Sequence, residues 1–200
     1  MWCIHTLLSL PSLSLSHTHT HTHTHAACAN LGTCMALSSW ATTSIEDVAR
    51  TGGPKGLRWF QLYVYSNREV TRDLIERAER AGYRALMVTV DTPIVGQKWA
   101  DLRNKFSLPP HLHLGIFDET KLGFIQDGGA SCYDELIDPR LTWKDIAWMK
   151  SITKLPVLVK GVLTAEDAVE AVQHGVQGIV VSNHGGRQLD GTPATVRQQF

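Results

Sequence analysis

The sequence lacks the features that mark several large classes of protein. Its 200 residues include only four cysteines, with no CxxC pair, which is too few for a disulfide scaffold and favours a reducing compartment. Lysine plus arginine and aspartate plus glutamate number 19 each, so the formal net charge is zero. With no basic face, neither nucleic acid nor an anionic membrane is an expected partner. No GxGxxG follows a predicted strand, which argues against a Rossmann domain.

The first 25 residues differ from the rest of the chain. A Leu/Ser-rich stretch leads into a strict His-Thr alternation from His17 to His25. The stretch has no lysine or arginine and is interrupted by Pro11, which disfavours a signal peptide. A His-rich tract can bind a transition metal, but low-complexity sequence without a packed role is the preferred interpretation, and we assign no metal ligand. We expect residues 1–25 to be a disordered or non-native leader and residues 26–200 to form the domain.

From Ala26 onward, predicted strands alternate with predicted helices. Five apolar, β-branched or aromatic runs predict strands, at 33–39, 57–65, 84–90, 155–160 and 176–182. Helices are predicted over 68–81 with Ser66 as the N-cap, over 142–152, and from Thr164. A long connection without assigned structure separates the third strand from the helix at 142. This alternation predicts parallel βαβ units, and a (β/α)8 barrel fits better than a Rossmann sheet. Because such a barrel needs eight strands, five strands predict an α/β fold that is a partial TIM barrel.

Hydrogen-bonding side chains stand at the carboxyl end of every predicted strand. In α/β barrels these ends converge on one mouth, where the chemistry takes place. His184 can take a proton near neutral pH, and Arg187 can bind a carboxylate through two parallel hydrogen bonds. Such a pair suits removal of a proton or hydride from a small organic acid. The alternative interpretation of this segment is a surface loop with a solvated arginine.

Five segments, in this order and spacing, resemble the FMN-dependent 2-hydroxy-acid oxidases, the family that includes glycolate oxidase and the long-chain 2-hydroxy-acid oxidases. The segments are LSSWAT at 37–42, FQLYVY at 60–65, TVDTP at 89–93, LPVLVKGV at 155–162 and VSNHGGRQLDG at 181–191. The resemblance implies a (β/α)8 barrel, of which this chain carries the family's second to sixth strands, with FMN at the mouth. It also implies oxidation of an (S)-2-hydroxy acid to a 2-oxo acid, with O2 reduced to H2O2.

The resemblance assigns chemical roles residue by residue. His184 matches the base that accepts the substrate hydroxyl proton, and Asp91 matches the partner that stabilises the imidazolium. Tyr63 matches a catalytic tyrosine beside the reacting oxygen, where it also contacts substrate. Arg187 matches an arginine that binds the substrate carboxylate. Lys98 stands where the family has a second such arginine, so it keeps the charge but loses the bidentate fork.

The remaining implied contacts concern the substrate pocket and the cofactor. Trp40 matches a wall of the substrate pocket. Lys160 matches a lysine beside the flavin ring, whose charge favours the anionic reduced flavin. The full set of implied FMN contacts is Ser38, Gln61, Thr89, Lys160 and Ser182.

The same comparison with the family leaves an alternative open, a catalytically inactive truncated form of such an oxidase. The family's first strand and its last two strands, with the loops that hold the cofactor phosphate, find no match in the sequence. The family implies a peroxisomal location, but the chain does not end in the family's targeting tripeptide, which leaves a cytosolic location open. The expected partners are a small 2-hydroxy acid and O2, and the family's tetrameric state suggests a homo-oligomer.

Overall fold

Five parallel strands form the centre of the protein. The computed structural model describes residues 20–117 and 136–198. Within them the strands lie in the sheet in the order in which they occur in the chain. They are β1 (Cys34–Ser38), β2 (Leu57–Leu62), β3 (Leu86–Thr89), β4 (Val157–Val162) and β5 (Gly178–Val181).

Helices precede and follow the strands along the chain. They are α1 (Thr20–Asn30), α2 (Ile45–Thr51), α3 (Arg68–Arg80), α4 (Trp99–Asn104), α5 (Trp143–Ile152) and α6 (Ala165–Gln173), with short 3-10 turns at His184–Gly186 and Thr195–Gln198. A doubly wound Rossmann sheet reverses its strand order at the ligand crevice, whereas a (β/α)8 barrel keeps chain order. The observed order therefore confirms the predicted α/β fold and partial barrel.

Buried apolar side chains from the strands and helices form one core. All four residues of β3 are buried, as expected for a parallel strand covered on both faces. Phe60 on β2 packs edge-on against Tyr83, with ring centroids 5.9 Å apart. β5 is only half-buried, because it is the last strand of the described sheet and has a neighbour on one side.

Three sequence predictions differ from the structure in detail. The N-cap of α3 is Asn67, whose side-chain oxygen accepts from the backbone N–H of Glu69, rather than Ser66. The long connection after β3 contains the helix α4. Of that connection, residues 118–135 lie outside the described residues. No helix was predicted between β1 and β2, where α2 lies with Ser44 as its N-cap.

The helix α1 begins inside the segment predicted to be a leader, of which residues 1–19 lie outside the described residues. The ring of His25 is fully buried, and its Nδ1–H donates to the carbonyl of Val48 at 2.7 Å. Burial lowers the pKa of His25. His25, the last histidine of the His-Thr alternation, therefore packs against α2.

Within residues 20–117 and 136–198, no helix is long and apolar enough to cross a membrane. The same residues contain no group of three or more His, Cys, Asp or Glu side chains that could hold a metal ion.

Candidate functional site

A row of polar side chains crosses the sheet near the carboxyl ends of its strands. Ser38 on β1 lies opposite Gln61 on β2, and Thr89 on β3 lies opposite Lys160 on β4. The side-chain amide of Gln61 donates to Thr89 Oγ1 at 2.8 Å and accepts from the backbone N–H of Ser39 at 3.2 Å. In the register of β2 and β3, Gln61 pairs with Met87, so the Gln61–Thr89 hydrogen bond links the two in-register pairs across an offset of two residues.

His184 and Asp91 meet across the mouth of this sheet. Nδ1 of His184 lies 2.7 Å from Oδ1 of Asp91, and both side chains are largely buried. A carboxylate can only accept, so Nδ1 carries the proton and Nε2 is left as the basic nitrogen. Nε2 faces the hydroxyl of Tyr63 at 3.5 Å. The three predicted catalytic residues therefore form one group.

The backbone around His184 is held in an uncommon conformation. His184 has φ 60°, and Gly185 and Gly186 follow at 67° and 69°. A non-glycine residue with positive φ costs free energy and persists only where its surroundings hold it. Here the backbone N–H of His184 donates to Ser182 Oγ at 3.0 Å, and Asn183 accepts from the N–H of Gly186. The predicted cofactor residue Ser182 thus supports the turn that presents the histidine.

Lys160 is the most unusual side chain of the site. It is 1% exposed, and its ammonium group has no hydrogen-bond partner among the described residues. Burial lowers the pKa of Lys160, and the negative charge of Asp91 opposes that shift. A buried cation without a hydrogen-bond acceptor is costly. The position calls for an anionic or polar group from outside the described chain.

Gly161 makes room for Asp91. A Cβ atom built at Gly161 would lie 2.6 Å from Cβ of Asp91, and its φ of +119° is one that L-residues rarely adopt. The β4–β5 register shifts between Lys160 and Val162, the signature of a bulge. Glycine here lets the backbone come close to the Asp91 side chain. An isolated glycine within an apolar strand is the sequence feature that indicates such a close approach.

Two aromatic residues and two cations complete the predicted set. The ring centroids of Trp40 and Tyr63 are 5.0 Å apart and the rings are tilted, so Trp40 packs against the tyrosine. Arg187 lies just past the histidine turn, and Lys98 immediately precedes α4. Both are half-buried, and no side chain in the described part of the protein bonds to either cationic group. The structure brings these cations onto adjacent loops without pairing them.

Thr92 and Gln188 also belong to the site, although sequence reasoning assigned them no role. Thr92 Oγ1 donates to Asp91 Oδ1 at 3.1 Å and lies 3.3 Å from Nδ1 of His184. Gln188 Nε2 donates to the backbone carbonyls of Asp91 and Ile94. Their positions next to Asp91 and Arg187 in the sequence were the available signal.

Comparison with known proteins agrees with this geometry. The family model described as FMN-dependent dehydrogenase matches residues 11–198. The chain is 52% identical over 177 residues to 2-hydroxyacid oxidase 1 of Mus musculus, covering 85% of this chain and 48% of that protein. It is 57% identical over 169 residues to glycolate oxidase of Spinacia oleracea, covering 82% and 45%.

The fold is also similar to solved structures of flavin-dependent oxidases. A crystal structure of mandelate oxidase superposes with a TM-score of 0.79 at 35% identity, covering 91% of this chain and 49% of that one. The chain thus spans about half the length of the relatives that it matches. On the family match, the identity to these oxidases and the shared fold, the chain belongs to the FMN-dependent dehydrogenase family.

Proposed function

We propose that this protein takes part in FMN-dependent oxidation of an (S)-2-hydroxy acid to the 2-oxo acid. The observation that carries the proposal is the His184–Asp91 pair, with Nε2 left basic beside the Tyr63 hydroxyl. Oxidation of a hydroxy acid removes one proton and one hydride, and FMN, when bound, supplies the hydride acceptor. O2 is the proposed terminal oxidant, which two electrons and two protons convert to H2O2.

The chain's own residues fit the cofactor. The ammonium group of Lys160 is buried without a hydrogen-bond partner among the described residues, and the polar edge of a flavin ring would provide its acceptor. Ser38, Gln61 and Thr89 line the same row across the strands. A fixed positive charge in a dry site also offsets negative charge that develops on a bound cofactor.

Nε2 of His184 is the proposed acceptor of the substrate hydroxyl proton. With Nδ1–H bonded to Asp91 Oδ1, Nε2 of His184 accepts the substrate hydroxyl proton. The imidazolium that forms is stabilised by the adjacent carboxylate, as in catalytic triads. The Tyr63 hydroxyl lies 3.5 Å from Nε2, and it is proposed to contact the substrate oxygen that gives up the proton.

The substrate carboxylate is proposed to bind between Arg187 and Lys98. Both residues offer positive charge on loops at the same mouth. The guanidinium provides a bidentate fork, whereas the ammonium acts as a point charge. From the family resemblance alone we also propose a peroxisomal location and assembly as a homo-oligomer.

The direct test is flavin binding followed by turnover. Protein in excess FMN is expected to bind the flavin, followed as a change in flavin absorbance, and to oxidise glycolate or a longer hydroxy acid with release of H2O2. Protein that binds no flavin under these conditions would contradict the proposal and support the alternative of an inactive form.

His184→Ala is expected to lower kcat of the FMN-loaded protein by about 10² to 10⁴, the usual contribution of a general base. Flavin binding, followed by absorbance, is expected to be unchanged. The matched control is His174→Ala, because His174 is exposed and stacks on Trp143 away from the site. A His184→Ala protein with more than about a tenth of the kcat would show that His184 is not the base.

Lys98→Arg is expected to lower KM by roughly 3- to 10-fold, about 0.7–1.4 kcal/mol and so the usual net contribution of one hydrogen bond, with a smaller change in kcat. The reason is that the restored fork binds the carboxylate equally in the ground state and the transition state. Steady-state kinetics with one hydroxy acid measure both constants. Lys105→Arg, at the end of α4, is the control, and an unchanged KM for Lys98→Arg would place this side chain out of reach of substrate.

Gly161→Ala is expected to push Asp91 away from His184 and to reduce kcat by about 10²-fold, since an ångström of misplacement costs that much. The free energy of unfolding should also fall, by about 1–3 kcal/mol for the backbone strain. Gly53→Ala is the control, because Gly53 also has positive φ but its Cβ would meet nothing within 4 Å. Equal kcat for both variants would show that Asp91 does not depend on the bulge at Gly161.

A further inference from the structure

One glutamine joins the two loops that carry the charged residues of the site. The side-chain amide of Gln188 uses both its donor and its acceptor on the segment that follows β3. Nε2 donates to the carbonyls of Asp91 at 3.2 Å and Ile94 at 2.9 Å, and Oε1 accepts from the N–H of Gly96 at 2.9 Å. These three backbone groups lie more than 90 residues away in the chain.

The two loops are also in direct backbone contact at Gly96. A Cβ atom at this position would lie 2.3 Å from the carbonyl oxygen of Arg187. No side chain fits in that space, so glycine is required for close approach. The segment 94–98 and the segment 187–188 therefore behave as one unit, with contacts at Gly96 and through the Gln188 amide.

Contacts to the backbone of this unit fix the positions of Lys98 and Arg187, the two cations proposed to bind substrate. Arg187 adjoins Gln188 in sequence, and Lys98 is two residues past Gly96. Neither cationic group has a side-chain partner in the described structure that would fix its position. Asp91, whose carbonyl Gln188 also binds, is the partner of His184. The Gln188 amide thus links the loop of Lys98 and the carbonyl of Asp91 to the segment that carries Arg187.

We propose that Gln188 is a positioning residue for substrate recognition, which fixes Arg187 and Lys98 relative to the Asp91–His184 pair. The inference rests on the proposed function, because it takes a 2-hydroxy carboxylate as the ligand. Recognition of a small carboxylate next to a reacting carbon requires sub-ångström placement, and an amide with three backbone partners provides it. Loss of the amide releases the cations without removing either charge.

Gln177 is a matched control within the same chain. Its Oε1 accepts from the N–H of Val157 at 2.8 Å, and its Nε2 donates to the carbonyl of Gly175 at 2.9 Å. It therefore also joins backbone segments through a side-chain amide. However, it lies at the amino ends of β4 and β5, at the opposite end of the sheet from the site.

The experiment compares Gln188→Met with Gln177→Met in FMN-loaded protein. The probe is oxalate, a redox-inert dicarboxylate, with its Kd measured by calorimetry, and KM and kcat are measured with a hydroxy acid. Hydrogen exchange of the Gly96 amide is followed by NMR in the same proteins. We expect Gln188→Met to raise the oxalate Kd and KM at least tenfold, by more than it lowers kcat, and to accelerate Gly96 exchange. Gln177→Met should leave the Kd, KM and Gly96 exchange within about twofold of the parent.

Two results would overturn the inference while leaving the proposed function intact. One is an oxalate Kd unchanged by Gln188→Met, and the other is an equal effect of Gln177→Met. Failure of the unmutated protein to bind oxalate would instead overturn the carboxylate site and, with it, this inference. If Gln188→Met does not fold, Gln188→Glu replaces it, because the carboxylate keeps the acceptor for Gly96 but cannot donate to the two carbonyls. The same loss of oxalate affinity is expected, and unchanged affinity would overturn the proposal.

Discussion

The hydrogen bond from His184 Nδ1 to Asp91 Oδ1 is the interaction on which the rest of the site depends. It joins the ends of β3 and β5, which are not neighbours, across β4. Because it fixes the position of the ring proton, it decides which nitrogen faces Tyr63 and can act as a base. Thr92 donates to the same carboxylate oxygen, and the bulge at Gly161 gives that carboxylate its space. Asp91 and Thr92 follow β3, Gly161 lies near the end of β4 and His184 follows β5, which explains why the site requires the sheet.

Burial of the charged groups of the site lowers the stability of the folded state, because these groups lose their contacts with water. Lys160 is buried without a hydrogen-bond partner among the described residues, and one oxygen of Asp91 is in the same condition. Their opposite charges offset part of the desolvation penalty, as the pKa of Lys160 indicates: burial lowers it and Asp91 opposes the shift. His184 adds backbone strain at φ 60°. Groups kept in this state are ready for a ligand and need little rearrangement when it binds.

The sequence predicts the parts of the site that follow from strand periodicity. Gln61, Thr89, Lys160 and Ser182 lie where parallel strands end, so a barrel interpretation alone brings them to one mouth. The contacts made by Gln188 could not be predicted, because they depend on loop conformation over more than 90 residues of separation. The role of His25 was likewise hidden, since low-complexity sequence gives no sign that one of its histidines packs against Val48. Propensity favours both Ser66 and Asn67 as an N-cap, and only the structure selects Asn67.

The tautomer of His184 is the most direct test of this account. Nitrogen-15 NMR of the neutral imidazole distinguishes a ring protonated at Nδ1 from one protonated at Nε2. The hydrogen bond to Asp91 predicts a protonated Nδ1 and a bare Nε2, and Asp91→Asn is expected to remove that preference. A ring protonated at Nε2 in the unmutated protein would contradict the account, because no basic nitrogen would then face Tyr63.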